Sequence, residues 1–147
     1  MKRSKEGQMF TDIVLDIFKL SGLLVAEGDV LTKDVGLSSA RWKVLGALAH
    51  SDGSMTVPQI AYSMGQSRQS VQRLTDAMEG SGILAYQDNP HHKKAKLVAL
   101  TEKGKEIFEL LEQKQIPWAN LAADGLTASD MEIALSVLKK MIQRFET

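Results

Sequence analysis

A mainly α fold carrying one small β-hairpin is what this 147-residue sequence predicts, and three observations point to it. Two short helical patterns, over residues 56–64 and 67–80, flank a tight turn at Gly65-Gln66. Two four-residue apolar runs, Ile83-Leu84-Ala85-Tyr86 and Leu97-Val98-Ala99-Leu100, follow and enclose a polar, basic stretch. Apolar stripes at helical spacing fill both ends of the chain.

Taken in order, Phe10, Ile13, Val14, Ile17, Leu20, Leu23 and Leu24 recur every three to four residues with Asp12, Asp16 and Lys19 opposite, an amphipathic helix of several turns. A second helix over about residues 38–50 presents Trp42, Val44, Leu45 and Leu48 as core anchors, and Ser51-Asp52-Gly53 turns out of it. Trp42 at this spacing reads as packing, with the lining of a ligand cavity as the alternative. In the next helix Val57, Ile60, Ala61 and Met64 share one face, and Gly65 ends it. Ser67 stands where an N-cap belongs, its hydroxyl placed to accept a bond from an orphaned backbone N–H. The helix that follows turns Val71, Leu74, Ala77 and Met78 inward, and Arg68, Gln69, Gln72, Arg73 and Asp76 outward.

Glu79-Gly80-Ser81-Gly82 stops this helix with glycines that tolerate a left-handed cap. Asp88-Asn89-Pro90 gives a turn between the two apolar runs, which read as paired strands around the tip His91-His92-Lys93-Lys94-Ala95-Lys96. Thr101-Glu102-Lys103-Gly104 opens a helix carrying Ile107, Leu110 and Leu111, with Thr101 as its cap; Pro117 is expected to kink or interrupt it by removing a backbone donor. Thr127-Ala128-Ser129-Asp130 caps a last helix with Met131, Ala134, Leu135, Leu138, Met141, Ile142 and Phe145 on one face.

Composition narrows the class. With 44% hydrophobic and 24% charged residues the chain has the profile of a globular protein with a real core, and zero Cys excludes disulfides and thiolate zinc sites. No run reaches the roughly 18 apolar residues of a membrane span, so no membrane partner and a cytoplasmic location are expected. Eighteen basic residues balance eighteen acidic ones, yet between Tyr86 and Lys105 five Lys face one Asp and one Glu. The charge is segregated toward the hairpin. No P-loop, dinucleotide glycine fingerprint, His-Glu-x-x-His or nucleophile elbow is present, so no catalytic residue and no cofactor are expected. His91 and His92 are adjacent on an extended segment and point to opposite faces, which disfavours a metal site; a gain of charge in acid that tightens anion binding is the other reading.

Two helices around a glycine turn followed by a basic hairpin make a winged helix-turn-helix, a fold that reads double-stranded DNA. In that reading Gln69, Gln72 and Arg73 reach base edges in the major groove, Arg suiting guanine and Gln adenine. Ser67, Arg68 and Ser70 bind backbone phosphates, and Lys93 and Lys94 grip phosphates or the minor groove. The chain reads as a single domain over 1–147, with a DNA-binding lobe over 35–104 and dimerisation helices over 8–34 and 105–147. A small winged helix does not need so much flanking apolar surface for its own core, which favours a homodimer; a monomer packing its own termini together is the alternative. A winged helix used for protein contact or nonspecific DNA architecture is the rival function.

Leu37-Ser38 with Trp42-Lys43-Val44-Leu45, Thr56-Val57-Pro58-Gln59-Ile60-Ala61, Ser67-Arg68-Gln69-Ser70-Val71-Gln72-Arg73-Leu74, Glu79-Gly80-Ser81-Gly82-Ile83-Leu84 and Leu100-Thr101-Glu102-Lys103-Gly104, in this order and spacing, resemble the multiple-antibiotic-resistance regulator (MarR) family of bacterial transcription factors. The resemblance implies a homodimeric regulator, usually a repressor, on a pseudo-palindromic operator, often released by a small aromatic or anionic effector bound between the dimerisation helices and the DNA-binding lobe. One departure stands out. Where the family's wing has Asp, one residue and then Arg, this chain has His92-Lys93-Lys94, so an ammonium without the planar fork of a guanidinium occupies the wing.

Overall fold

A computed structural model describes residues 1–146. Its elements are α1 (Lys5–Thr32), α2 (Ser39–Ala49), β1 (Ser54–Thr56), α3 (Val57–Met64), α4 (Arg68–Gly80), β2 (Leu84–Gln87), β3 (Leu97–Leu100), α5 (Glu102–Ala122) and α6 (Ala128–Phe145). Contacts divide the chain into two compact units, one from Met1 to Glu112 and one beginning at Gln113.

The first unit holds the core. Val44, Leu45 and Leu48 of α2, Ile60 of α3, Val71 and Met78 of α4, Leu84 of β2, Val98 of β3 and Leu111 of α5 are buried together. Trp42 packs half-buried against them. Helix termini follow the sequence's capping residues. Thr56 and Gln59 form a reciprocal capping box at α3 with Pro58 in its first turn, and α3 ends at Gly65 in the left-handed region at φ 65°. The Ser67 hydroxyl accepts from the Ser70 N–H at 3.1 Å and starts α4.

The sheet has three antiparallel strands in the order β1-β3-β2, one more than the sequence predicts. Met55 lies opposite Val98, and Ala85 opposite Ala99. The added strand is three residues long, too short to show alternation, and its last residue Thr56 also caps α3. The strand expected to begin at Ile83 begins at Leu84, because the Ile83 N–H bonds back to the Met78 carbonyl in closing α4.

Two further expectations are corrected. In α4 the buried stripe is Val71, Thr75 and Met78, spaced i, i+4, i+7, with Leu74 half-buried, while Ala77 faces solvent. A threonine takes the inward place because its hydroxyl finds partners there, the Gln72 carbonyl at 3.1 Å and the Tyr86 hydroxyl at 2.8 Å. Pro117 does not interrupt α5, which runs unbroken to Ala122. Pro117 and Gln113, whose carbonyl loses its i+4 donor, are both exposed, so water can satisfy that carbonyl.

In the second unit α6 is capped by the Thr127 hydroxyl, which accepts from the Asp130 N–H at 3.1 Å. Its Met131, Leu135, Leu138, Ile142 and Phe145 are exposed in the single chain, as are Phe10, Ile13, Leu20, Leu23 and Leu24 of α1. Among the described residues no helix is long and apolar enough to cross a membrane.

Candidate nucleic-acid interface

The side chains with nucleic-acid chemistry lie where α4 opens. Arg68, Gln69, Gln72 and Arg73 are exposed, and Ser70 is half-buried. Arg68 and Gln72, like Gln69 and Arg73, are four residues apart, so all four share one face spanning about 7.5 Å of helix axis. Val71, Thr75 and Met78 fix that face outward by occupying the opposite side. A cation in a first helical turn opposes the helix dipole, and no acidic residue stands in this one. A phosphate there gains both the dipole and the Arg68 charge.

Gln72 is not a free side chain. Its Nε2 donates to Asp76 Oδ1 at 2.9 Å and to the Tyr86 hydroxyl at 3.1 Å, while that hydroxyl donates to the same Asp76 oxygen at 2.5 Å. Tyr86 reaches α4 because it follows buried Leu84 by two residues in β2 and so leaves the same face of the strand. The hydrogen bond from Tyr86, then that from Gln72, holds the Asp76 carboxyl below its usual range. Burial, then the bond to Asp76, pushes the Tyr86 phenol up to about 12. Both shifts favour the pair as drawn, an ionised carboxylate accepting from a neutral phenol.

The wing loop joins β2 to β3. Its turn is closed by the His91 N–H on Asn89 Oδ1 at 3.0 Å, the His92 N–H on the Asn89 carbonyl at 3.2 Å, and the Ala95 N–H on His92 Nδ1 at 3.2 Å. The last bond uses His92 Nδ1 as an acceptor, which directs the imidazole proton to Nε2. Lys93, Lys94 and Lys96 are exposed. Lys94 and Lys96 line one groove with Gln72, Tyr86, Ala95, Val57 and Pro58, so the wing and the exposed face of α4 meet around a shared cleft. Lys93 lies outside this lining. Sequence reasoning did not single out Tyr86, the role of Asp76, or Lys96. The signal for Tyr86 was a phenol closing an otherwise aliphatic strand run, and for Lys96 its place two residues after Lys94.

Against known proteins, the sequence profile described as "MarR family" matches residues 35–95. An uncharacterized protein of Mycobacterium tuberculosis is 33% identical over 130 residues, covering 88% of this chain and 90% of that one. The transcriptional activatory protein BadR of Rhodopseudomonas palustris is 28% identical over 102 residues, covering 68% of this chain and 58% of BadR. Among solved structures, CouR from Rhodococcus jostii RHA1 bound to p-coumaroyl-CoA superposes with a TM-score of 0.81 at 18% identity, over 92% of this chain and 94% of CouR.

Proposed function

The chain belongs to the MarR family of transcriptional regulators, and from that premise we propose that it works as a homodimer, in the cytoplasm, repressing transcription from a pseudo-palindromic operator in double-stranded DNA. The observation that carries this is the contiguous exposed face of Arg68, Gln69, Gln72 and Arg73 beside a cationic wing. Gln69, Gln72 and Arg73 read base edges, Ser67, Arg68 and Ser70 hold phosphates, and Lys93 and Lys94 grip phosphates or the minor groove. Ser67 keeps its proton for a phosphate, since its oxygen serves α4 as an acceptor. The lobe over 35–104 does the reading. The segments 8–34 and 105–147 pair with a second copy, and the exposed apolar side chains of α1 and α6 support that pairing. Two readers on a two-fold axis match an inverted repeat and multiply affinity.

CouR was solved with p-coumaroyl-CoA, which supports a small aromatic or anionic effector that releases this protein from its operator. The name of BadR favours a second reading, in which the bound dimer activates transcription. Capture of genomic fragments by the purified protein, followed by sequencing and transcript measurement in a deletion strain, tests both. The expected result is an inverted repeat upstream of few genes, with transcripts rising on deletion. Falling transcripts transfer the case to activation, and a pool with no enriched sequence contradicts the operator reading in favour of a winged helix used for protein contact or nonspecific DNA architecture.

A further inference from the structure

Helix α1 is buried only at the end that meets the reading lobe. Among its described residues just Gly28 and Thr32 are buried, both in the last turns before α2, while Phe10, Ile13, Leu20, Leu23 and Leu24 stand exposed along its length. At that end the two helices are bonded directly. The Ser39 N–H, an orphan donor in the first turn of α2, donates to Asp29 Oδ1 at 2.8 Å. The Ser39 hydroxyl donates to the Val25 carbonyl at 2.6 Å, and Ser39 is itself buried. It fits there because Gly28 has no side chain: an added Cβ would collide with Ser39 Oγ and lie 3.2 Å from Ser39 Cβ. The Thr32 hydroxyl donates to the Gly28 carbonyl at 2.8 Å, which completes the junction.

From this geometry we infer that Asp29 and Ser39, closed against Gly28, are positioning residues for DNA recognition: they fix the angle between α1 and the reading lobe, and with it the half-site spacing that a pair of lobes selects. The inference rests on the pairing of 8–34 with a second copy and on α4 as the reader, both proposed above. Leverage makes the angle matter. Phe10 precedes Gly28 by 18 residues, about 27 Å of helix axis, so a tilt of about 10° at the junction displaces it about 5 Å, more than the roughly 3.4 Å rise of one base pair. Two bonds of different kinds resist that tilt. One is charge-assisted, a carboxylate on a helix-terminal N–H, and the other ties a hydroxyl to a main-chain carbonyl of the facing helix. Neither residue touches a base or a phosphate in this role; each acts through the frame that carries α4.

Binding to three sets of duplexes tests it: the selected inverted repeat, the same repeat with one or two base pairs added or removed between its half-sites, and one half-site alone. The wild type should lose affinity on the order of tenfold per base pair of misspacing. Asp29→Ala and Ser39→Ala, measured singly, should each lower that penalty to below about threefold and weaken the correctly spaced site. Both should bind the single half-site within about twofold of wild type, a separation that general damage to the fold would not give. Asp29→Asn keeps a carbonyl oxygen for the Ser39 N–H and should hold the wild-type penalty. The wild-type penalty retained in either alanine variant, half-site affinity falling as far as that of the full repeat, or Asp29→Asn behaving as Asp29→Ala overturns the inference while leaving the regulator reading in place. A wild type that selects an inverted repeat yet tolerates every spacing does the same. One that enriches no inverted repeat overturns the homodimer on its operator as well.

Discussion

Replacing Gly104 with alanine should destabilise this protein although alanine is the better helix former. Gly104 is buried in the first turn of α5, and its N–H donates to Thr101 Oγ1 at 3.1 Å. A Cβ at this position collides with the Ile83 carbonyl oxygen and sits 3.3 Å from Leu100 Cδ2. That carbonyl is engaged already, accepting from the Thr101 N–H at 3.1 Å and the Thr101 hydroxyl at 3.0 Å. Helix propensity returns about 1 kcal/mol. Against it stand about 1–3 kcal/mol of overpacking on backbone, and about 1 kcal/mol for each hydrogen bond loosened as Ile83 moves. The balance is a loss of about 2–4 kcal/mol, or a melting temperature lower by roughly 6–12 °C. Gly46→Ala is the matched control. It lies in α2 with no atom within 4 Å of an added Cβ, so it should gain up to about 1 kcal/mol. Thermal unfolding followed by circular dichroism, at one chain concentration because assembly couples to melting, separates the two. If Gly104→Ala melts at or above the wild type, the close approach of α5 to the entry of β2 is not what holds the wing strand in place.

Further expectations concern the interface. Arg73→Ala should weaken operator binding by about 1–3 kcal/mol and relax preference at one base pair; a gel-shift titration identical to wild type removes Arg73 from the readers. Lys94→Ala should lower the steepness of affinity against salt by roughly one unit per lost phosphate contact, and an unaltered slope removes it from the phosphate ligands. The Tyr86–Asp76 hydrogen bond also has a pH window. Asp76 sits below its ordinary value, so its contribution is present above about 3.8 and lost as pH falls through its lowered value. Tyr86 sits above 10.0, so its contribution is complete below 10.0 and fades as pH rises toward about 12. The difference in ultraviolet phenolate absorbance between wild type and Tyr86→Phe should therefore rise near the upper value, and a rise centred on 10.0 would break the Tyr86–Asp76 link.

Local chemistry made much of the fold legible. Gly65, Ser67, Thr101 and Thr127 each mark a helix end that the backbone respects, and Leu97–Leu100 is a strand at the expected residues. The exposed positions of Arg68, Gln69, Gln72 and Arg73 were equally readable, because a helix that buries one side must present the other. What escaped depends on distant partners. β1 exists by pairing with β3, more than forty residues on, and its three residues carry no period of their own. Thr75 was passed over for Ala77 because hydropathy ranks a hydroxyl as outward, whereas Tyr86, eleven residues later, gives that hydroxyl a partner. The hydrogen bond from Gln72 to Tyr86 escaped for the same reason: Tyr86 is fourteen residues away, and its reach depends on how β2 lies along α4. Pro117 does not interrupt its helix, which runs continuous over 21 residues, because the Gln113 carbonyl that the proline leaves without a donor belongs to an exposed residue.

The most direct test of the account is the stoichiometry and footprint of the protein on a duplex carrying its selected sequence. Two chains per duplex are expected by sedimentation equilibrium, with backbone protection repeated in two half-sites whose centres lie about 10–10.5 base pairs apart or a multiple of that, and with protection lost when Arg68 and Arg73 are both replaced by alanine. One chain per duplex, protection without two-fold symmetry, or a footprint indifferent to those arginines would contradict it.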